Sequence, residues 1–227
     1  AKDALYGLKS RNLAIGFTIF IIGLFKKVVL ADGIAVHATS VFAGAEHGVY
    51  LTFFEAWGGA LAYSFQLYFD FSGYSDMAIG LARMFGIRLP LNFNSPFKAT
   101  SIIDFWRRWH ITLSRFLRDY LYIPLGGNRK GEARRFTNLM IAMLLGGLWH
   151  GAGWNFVLFG LAHGTYIVIC GAWVKVKKNI SDNSVIKSTV VANSIGRVIT
   201  FLAVVLAFVP FRAESMEGTR NMLAAML

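Results

Sequence analysis

FTNLMIAMLLGGLWHGAGWNFVLFGLAHGTYIVICGAWV, residues 136–174, runs for 39 residues without an Asp, Glu, Lys or Arg. As one straight helix it would measure about 58 Å at 1.5 Å per residue, nearly twice the roughly 30 Å hydrocarbon core of a bilayer. The stretch must therefore fold back, and Gly151-Ala152-Gly153 supplies the turn. Its first arm, 136–149, is shorter than a full crossing, which puts its far end and His150 at membrane depth.

The rest of the chain fits a membrane setting. Of 227 residues, 56% are hydrophobic and 15% charged, against roughly 45–50% and about 25% in soluble domains. Mean hydropathy is +0.52. A disordered chain is excluded, a lone Cys170 excludes a disulfide scaffold, and a soluble globular domain is disfavoured. The net charge of +11 is unevenly placed: Arg83 to Arg135 holds 11 Lys and Arg against three Asp and Glu, giving +8. By the positive-inside rule this region and a second basic loop (Lys175, Lys177, Lys178, Lys187) face the cytoplasm. Residues 31–50, with Asp32 and Glu46 but no Lys or Arg, read as an external loop. Residues 12–25 form a short apolar segment interrupted by Lys26 and Lys27, which fit only a buried or tilted position. Residues 49–69 read as a further span, 71–87 as a weaker half-span, and 195–211 as a last span before the polar stretch 212–220. Ala1 is not an initiator Met, and no signal peptide precedes the first apolar stretch, which reads as part of a longer chain. The expectation is an all-α, polytopic membrane helix bundle.

Residues 102–123 place Arg107, Arg108, Arg115, Arg118 and Asp119 on one stripe of a helical wheel. Phe105, Trp106, Trp109, Leu113, Phe116, Leu117 and Tyr120 lie on another face. Ser101 and Asp104 make an S-x-x-D capping box, and Pro124 with Gly126-Gly127-Asn128 ends the helix. This predicts one amphipathic helix, interfacial or re-entrant. Its arginines either anchor anionic headgroups or, with Arg129, Lys130, Arg134 and Arg135, line a cytoplasmic entrance for an anionic donor. A basic patch embedded in a membrane meets lipid or nucleotide phosphates before nucleic acid. His110 falls off the polar stripe.

An ionisable side chain at membrane depth is costly and marks a functional candidate. His150 ends a short helix among Gly146, Gly147, Gly151 and Gly153, which leave room around its ring. A neutral imidazole there accepts a proton from a hydroxyl, help worth typically about 10²–10⁴-fold. For His163 the alternative is a packing histidine bonded to a carbonyl; His37 and His47 read as solvated loop residues. No spacing supports a metal site, and Cys170 has no charged neighbour to activate it. Asp70 and Asp76, flanking Ser72-Gly73-Tyr74, either hold a helix break together or orient a catalytic group.

Four segments are familiar: FDFSGYSDMAIG at 69–80, NFNSPF at 92–97, DFWRRWHITLSRFLRDYLYIPLGGNR at 104–129, and GLWHGAGWNF at 147–156. In order and spacing they resemble the membrane-bound O-acyltransferase family, and the resemblance extends over essentially the whole chain. The RDYLYIPLGGNR ending is similar to the bacterial alginate O-acetylation branch rather than the branch that moves D-alanine onto teichoic acid. The resemblance implies one membrane-embedded domain over 1–227, lacking N-terminal helices and the C-terminal end, since members are roughly twice as long. It implies a multi-pass protein of the bacterial inner membrane that moves an acetyl group from a cytoplasmic donor across the bilayer. The donor it implies is acetyl-CoA, with no tightly bound cofactor and no metal. Periplasmic acetyltransferase partners would finish the transfer to an exported polysaccharide, with lipid around the protein and no nucleic acid. The family's tunnel histidine falls on His150 and a second histidine on His110. Arg107, Arg108, Arg115 and Arg118 then become donor-binding candidates, with Asp70, Asp76, Asp104 and Trp149 in support. The competing classes are a transporter or channel subunit, with Asp70, Asp76 and His150 on an ion path, and a non-catalytic scaffold.

Overall fold

The computed structural model describes residues 9–180 and 190–227, and every regular element among them is helical. Lys187 of the expected second basic loop lies outside the described residues. The other three lysines of that loop lie on a helix instead, and Lys175 pairs with Glu132 at 2.6 Å.

The first helical path is continuous from Ser10 to Glu46. Helix α1 (Ser10–Phe25) passes through a π turn (Lys26–Ala31) into α2 (Asp32–Glu46). This corrects the external loop expected at 31–50. Lys26 and Lys27 do not end the helix because each finds a carboxylate on α3 (Phe53–Met84). Lys26 reaches Asp76 at 2.6 Å, and Lys27 reaches Asp70 at 2.6 Å and Asp32 at 2.7 Å. A π turn carries an extra residue per turn, and these adjacent lysines at its start serve two carboxylates six positions apart on α3. The same pairing makes α3 one helix of 32 residues rather than a span followed by a half-span. It starts at a full capping box between Thr52 and Glu55.

Helices α1 and α3 lie antiparallel at glycine contact. A Cβ on Gly16 would stand 2.5 Å from the Gly80 carbonyl oxygen, and one on Gly73 would stand 2.7 Å from that of Gly23. Only hydrogen at those positions lets the backbones approach closely enough for the lysines and aspartates to meet.

The uncharged stretch folds as expected. Helix α6 (Gly131–His150) and α7 (Trp154–Ile180) form a hairpin around residues 151–153, tightened where Gly147 abuts the Phe156 carbonyl and Gly160. At 20 residues, about 30 Å, α6 is longer than the expected arm, because its helix begins in the charged turn before Phe136. Helix α8 (Val190–Arg212) then runs to a short α9 (Met216–Ala225). Asn155 Nδ2 donates to the Ala213 carbonyl at 2.7 Å, fixing the hairpin tip to the end of α8. Glu46 accepts from the Glu214 and Ser215 amides at 2.7 and 3.2 Å, fixing α9 to the end of α2.

Among the described residues, three helical segments, Ser10–Glu46, Trp154–Val176 and Val190–Arg212, are long and apolar enough to cross a membrane. The core between them is largely aromatic: Phe42, Phe105, Trp109, Phe159 and Phe208 are all buried. The fold is an all-α membrane bundle.

Candidate functional site

The amphipathic helix expected over 102–123 is broken between Trp106 and Ile111, at His110. It divides into α4 (Ile102–Trp106), α5 (Ile111–Phe116) and a π turn (Leu117–Tyr122). The cause lies in the segment before it. The Asn94 amide donates to the Arg108 carbonyl at 2.9 Å, and the Ile111 amide donates to the Asn92 carbonyl at 3.0 Å. These non-local bonds replace helical ones. Trp109 is drawn into the core against Phe93 and Phe105, with ring centres at 5.1 and 5.5 Å. His110 is left in the left-handed region at φ +42°, a conformation a non-glycine residue holds only when its surroundings impose it. The expected capping box is half formed. Ser101 accepts from the Asp104 amide at 3.2 Å, whereas the Asp104 carboxylate accepts from the Thr100 amide.

The half-buried His110 ring lies with its Nδ1 3.1 Å from Asn92 Oδ1, and the Phe71 ring sits edge-on to it at 4.7 Å. Burial, and secondarily the charge that His150 would carry, pushes the His110 imidazole down to about 4. The two histidines the sequence singled out are therefore within electrostatic reach of each other, although 40 positions apart. His150 closes α6 at the hairpin tip, its ring edge-on to Phe211 at 4.9 Å and to Trp149 at 5.0 Å. Its ring nitrogens have no hydrogen-bond partner among the described residues.

His163, on α7, is fully buried between Phe159, Trp106 and Phe105, at 4.6, 5.1 and 6.1 Å between ring centres. It is a packing histidine without the expected carbonyl bond; neither ring nitrogen has a partner in the described structure. Phe159 touches the rings of both His150 and His163.

A cavity of about 540 Å³ opens between α4, α5, α6 and α7. Arg107, Arg115, Arg118 and Arg135 line it together with Trp106, Leu139, Met143 and Ile167. Three of the four arginines expected to bind a donor are therefore in one place, joined by Arg135. Arg108 turns away, its Nε held 2.9 Å from Asp104 and its other end 3.4 Å from the Asn94 carbonyl. At the exposed end, the Arg118 guanidinium beside Asp119 holds that carboxyl below the usual range. Planar guanidiniums pair bidentately with phosphate oxygens, and the apolar wall suits a short acyl chain. Met143 in this wall lies seven residues before His150 on α6, about 10 Å along the helix axis.

Asp70 and Asp76 pair with Lys27 and Lys26, and neither has a hydrogen bond to a histidine. Asp104 lies in the first turn of α4 with its carboxylate taken up by the Thr100 amide and Arg108, and Trp149 lies exposed at the hairpin tip. No group of three or more His, Cys, Asp or Glu among the described residues gathers in a metal-binding arrangement. The residue that sequence reasoning passed over is Asn92. It lies in the quoted NFNSPF segment, but nothing in its own neighbourhood of sequence points to His110, 18 positions on.

A peptidoglycan O-acetyltransferase of Helicobacter pylori is 49% identical over 97% of the chain, which covers 40% of that protein. A protein of Pseudomonas aeruginosa named "Probable alginate O-acetylase AlgI" is 48% identical over 95% of the chain, covering 39% of that protein. A teichoic acid D-alanyltransferase of Streptococcus thermophilus is 34% identical over 68% of the chain, covering 40% of it. The chain thus spans about two-fifths of the length of these relatives. The sequence profile of the membrane-bound O-acyltransferase family matches residues 2–209, from the first helix through the broken segment and the hairpin to the end of α8. Both histidines and the arginine-lined cavity fall inside that match, and the chain belongs to the membrane-bound O-acyltransferase family.

Proposed function

We propose that the chain carries the transfer centre of an O-acetyltransferase of the bacterial inner membrane. It takes an acetyl group from acetyl-CoA on the cytoplasmic side and passes it across the bilayer, where periplasmic acetyltransferase partners place it on an exported polysaccharide such as alginate. What supports the reading is a cavity lined by four arginines, whose α6 wall runs on within two turns to His150 and whose α4–α5 wall flanks His110.

In this reading Arg107, Arg115, Arg118 and Arg135 hold the donor's phosphates. Binding energy from that remote part of the donor then fixes the thioester for reaction. His150 takes the proton of the accepting hydroxyl as its oxygen bonds to the acetyl carbonyl carbon. The carbon–sulfur bond breaks, and the thiolate leaves with the proton returned from the imidazolium. His110 serves as the second base or as the group that positions the acceptor.

The test is His150→Ala in cells that export the polysaccharide, with membrane insertion checked separately. Removal of the base is expected to lower O-acetyl content by at least about 10²-fold. Normal acetylation by an inserted His150→Ala protein sinks the assignment. Turnover of labelled acetyl-CoA by the protein in liposomes, with and without His150, tests the donor. Absence of turnover by the wild type there rules acetyl-CoA out.

A further inference from the structure

We infer that Asn92 is a positioning residue that fixes the His110 imidazole in the tautomer with its proton on Nδ1, leaving the Nε2 lone pair free. The effect on rate rests on the functional reading above; the tautomer does not.

The argument begins with which end of the Asn92 amide faces the histidine. Asn92 Oδ1 lies 3.3 Å from the Thr112 backbone nitrogen and 3.0 Å from the Thr112 hydroxyl. A backbone N–H can only donate, so the atom facing it is the amide oxygen. The Asn92 nitrogen points the other way and donates to Ser75 Oγ on α3 at 3.4 Å. The same oxygen lies 3.1 Å from His110 Nδ1. An oxygen can only accept, so the proton must be on Nδ1. In a neutral imidazole the other nitrogen then carries the lone pair. Nε2 meets no hydrogen-bond partner among the described residues, so that lone pair is unspent.

The backbone supports the same conclusion. The Asn92 carbonyl accepts from the Ile111 amide, and its side chain accepts from the Thr112 amide. One residue thus satisfies two of the orphan N–H groups that open α5 while holding the strained residue just before them. Beside Asn92, the groups against the ring are Phe71 of α3 and, as the charge acting on it, His150 of α6. Neither His150, which is itself basic, nor Phe71 can set the tautomer as a fixed acceptor does.

Nitrogen-15 NMR of the histidine-labelled protein in bilayers reads the tautomer directly. The wild type is expected to carry the His110 proton on Nδ1, and Asn92→Ala to shift it mainly to Nε2. A wild-type ring protonated on Nε2, or an unchanged ring in a folded Asn92→Ala protein, overturns the inference. For rate, Asn92→Ala is expected to lower turnover of labelled acetyl-CoA about 10²-fold, with the donor KM changed less than about twofold. Asn92→Asp restores the acceptor and adds a charge that favours the imidazolium. It should recover most of the lost rate and move the acid limb of the pH profile upward. An Asp variant as slow as the Ala variant, or one with the wild-type acid limb, counts against Asn92 acting through His110. His110→Ala at the wild-type rate overturns the functional reading instead, and the tautomer measurement still decides the geometry.

Discussion

Arg107, Arg108, Arg115 and Arg118 share one stripe of a helical wheel, yet they do different things. Arg108 is spent on Asp104 and the Asn94 carbonyl, whereas the other three line the cavity. Arg115→Gln is therefore expected to raise the KM for the acetyl donor about tenfold with kcat nearly unchanged, the signature of lost uniform binding. Arg108→Gln should leave that KM alone and act, if at all, on stability. Equal effects of the two on KM would count against the cavity as the donor site. The residue types of this site were legible in the sequence because a charge or a histidine in an apolar chain needs a reason. Asn92 was not, because an uncharged amide in a loop is ordinary until its partners are seen.

At the scale of elements, the length and charge of apolar runs identified the hairpin and the last span. They failed wherever a distant segment supplied the deciding bond. The expected loop at 31–50 is helix as far as Glu46 because Lys26 and Lys27 are neutralised by α3. The expected helix at 102–123 is broken because residues 92–94 take its hydrogen bonds. Neither partner lies within a window that a periodicity argument inspects. The α1–α3 contact gives a clean test. Gly73→Ala places a methyl 2.7 Å from the Gly23 carbonyl oxygen, against backbone that cannot yield cheaply. It is expected to destabilise the protein by about 1–3 kcal/mol. Gly33→Ala, in α2 with nothing within 4 Å of the new methyl, should be neutral or gain up to about 1 kcal/mol in helix propensity. Thermal unfolding midpoints in detergent compare the two, and an equal response would refute the close-packing account.

Across the whole molecule, the first helical path and the last helix are joined by one carboxylate. Glu46 accepts from the Glu214 and Ser215 amides and from the Ser215 hydroxyl, and Asn221 Nδ2 reaches the Ala45 carbonyl at 2.9 Å nearby. Replacing Glu46 by Ala strips two amides of their acceptor and leaves α9 held by its apolar face and by the Asn221 and Trp57 hydrogen bonds. Limited proteolysis is expected to cut between α8 and α9 much faster in Glu46→Ala than in the wild type, with helical content otherwise retained. Unchanged cleavage would show that these remaining contacts hold α9 on their own. The basic region and the uncharged hairpin, conspicuous as a contrast in the sequence, meet in three dimensions. The cavity draws Arg107, Arg115 and Arg118 from the former and Leu139, Met143 and Ile167 from the latter.

The lysine–aspartate pairs between α1 and α3 bear on how this protein is made. Lys26 is joined to a carboxylate 50 residues further along the chain. Ribosomes at about 5–20 residues per second need roughly 3–10 s to deliver that partner. Until then the first helical path presents the Lys26 ammonium to lipid uncompensated, at a cost of about 2.5–3.5 kcal/mol at the centre of a span, while Lys27 already has Asp32. It is an unfinished crossing, and its pairing with α3 is completed only once Asp70 and Asp76 have emerged.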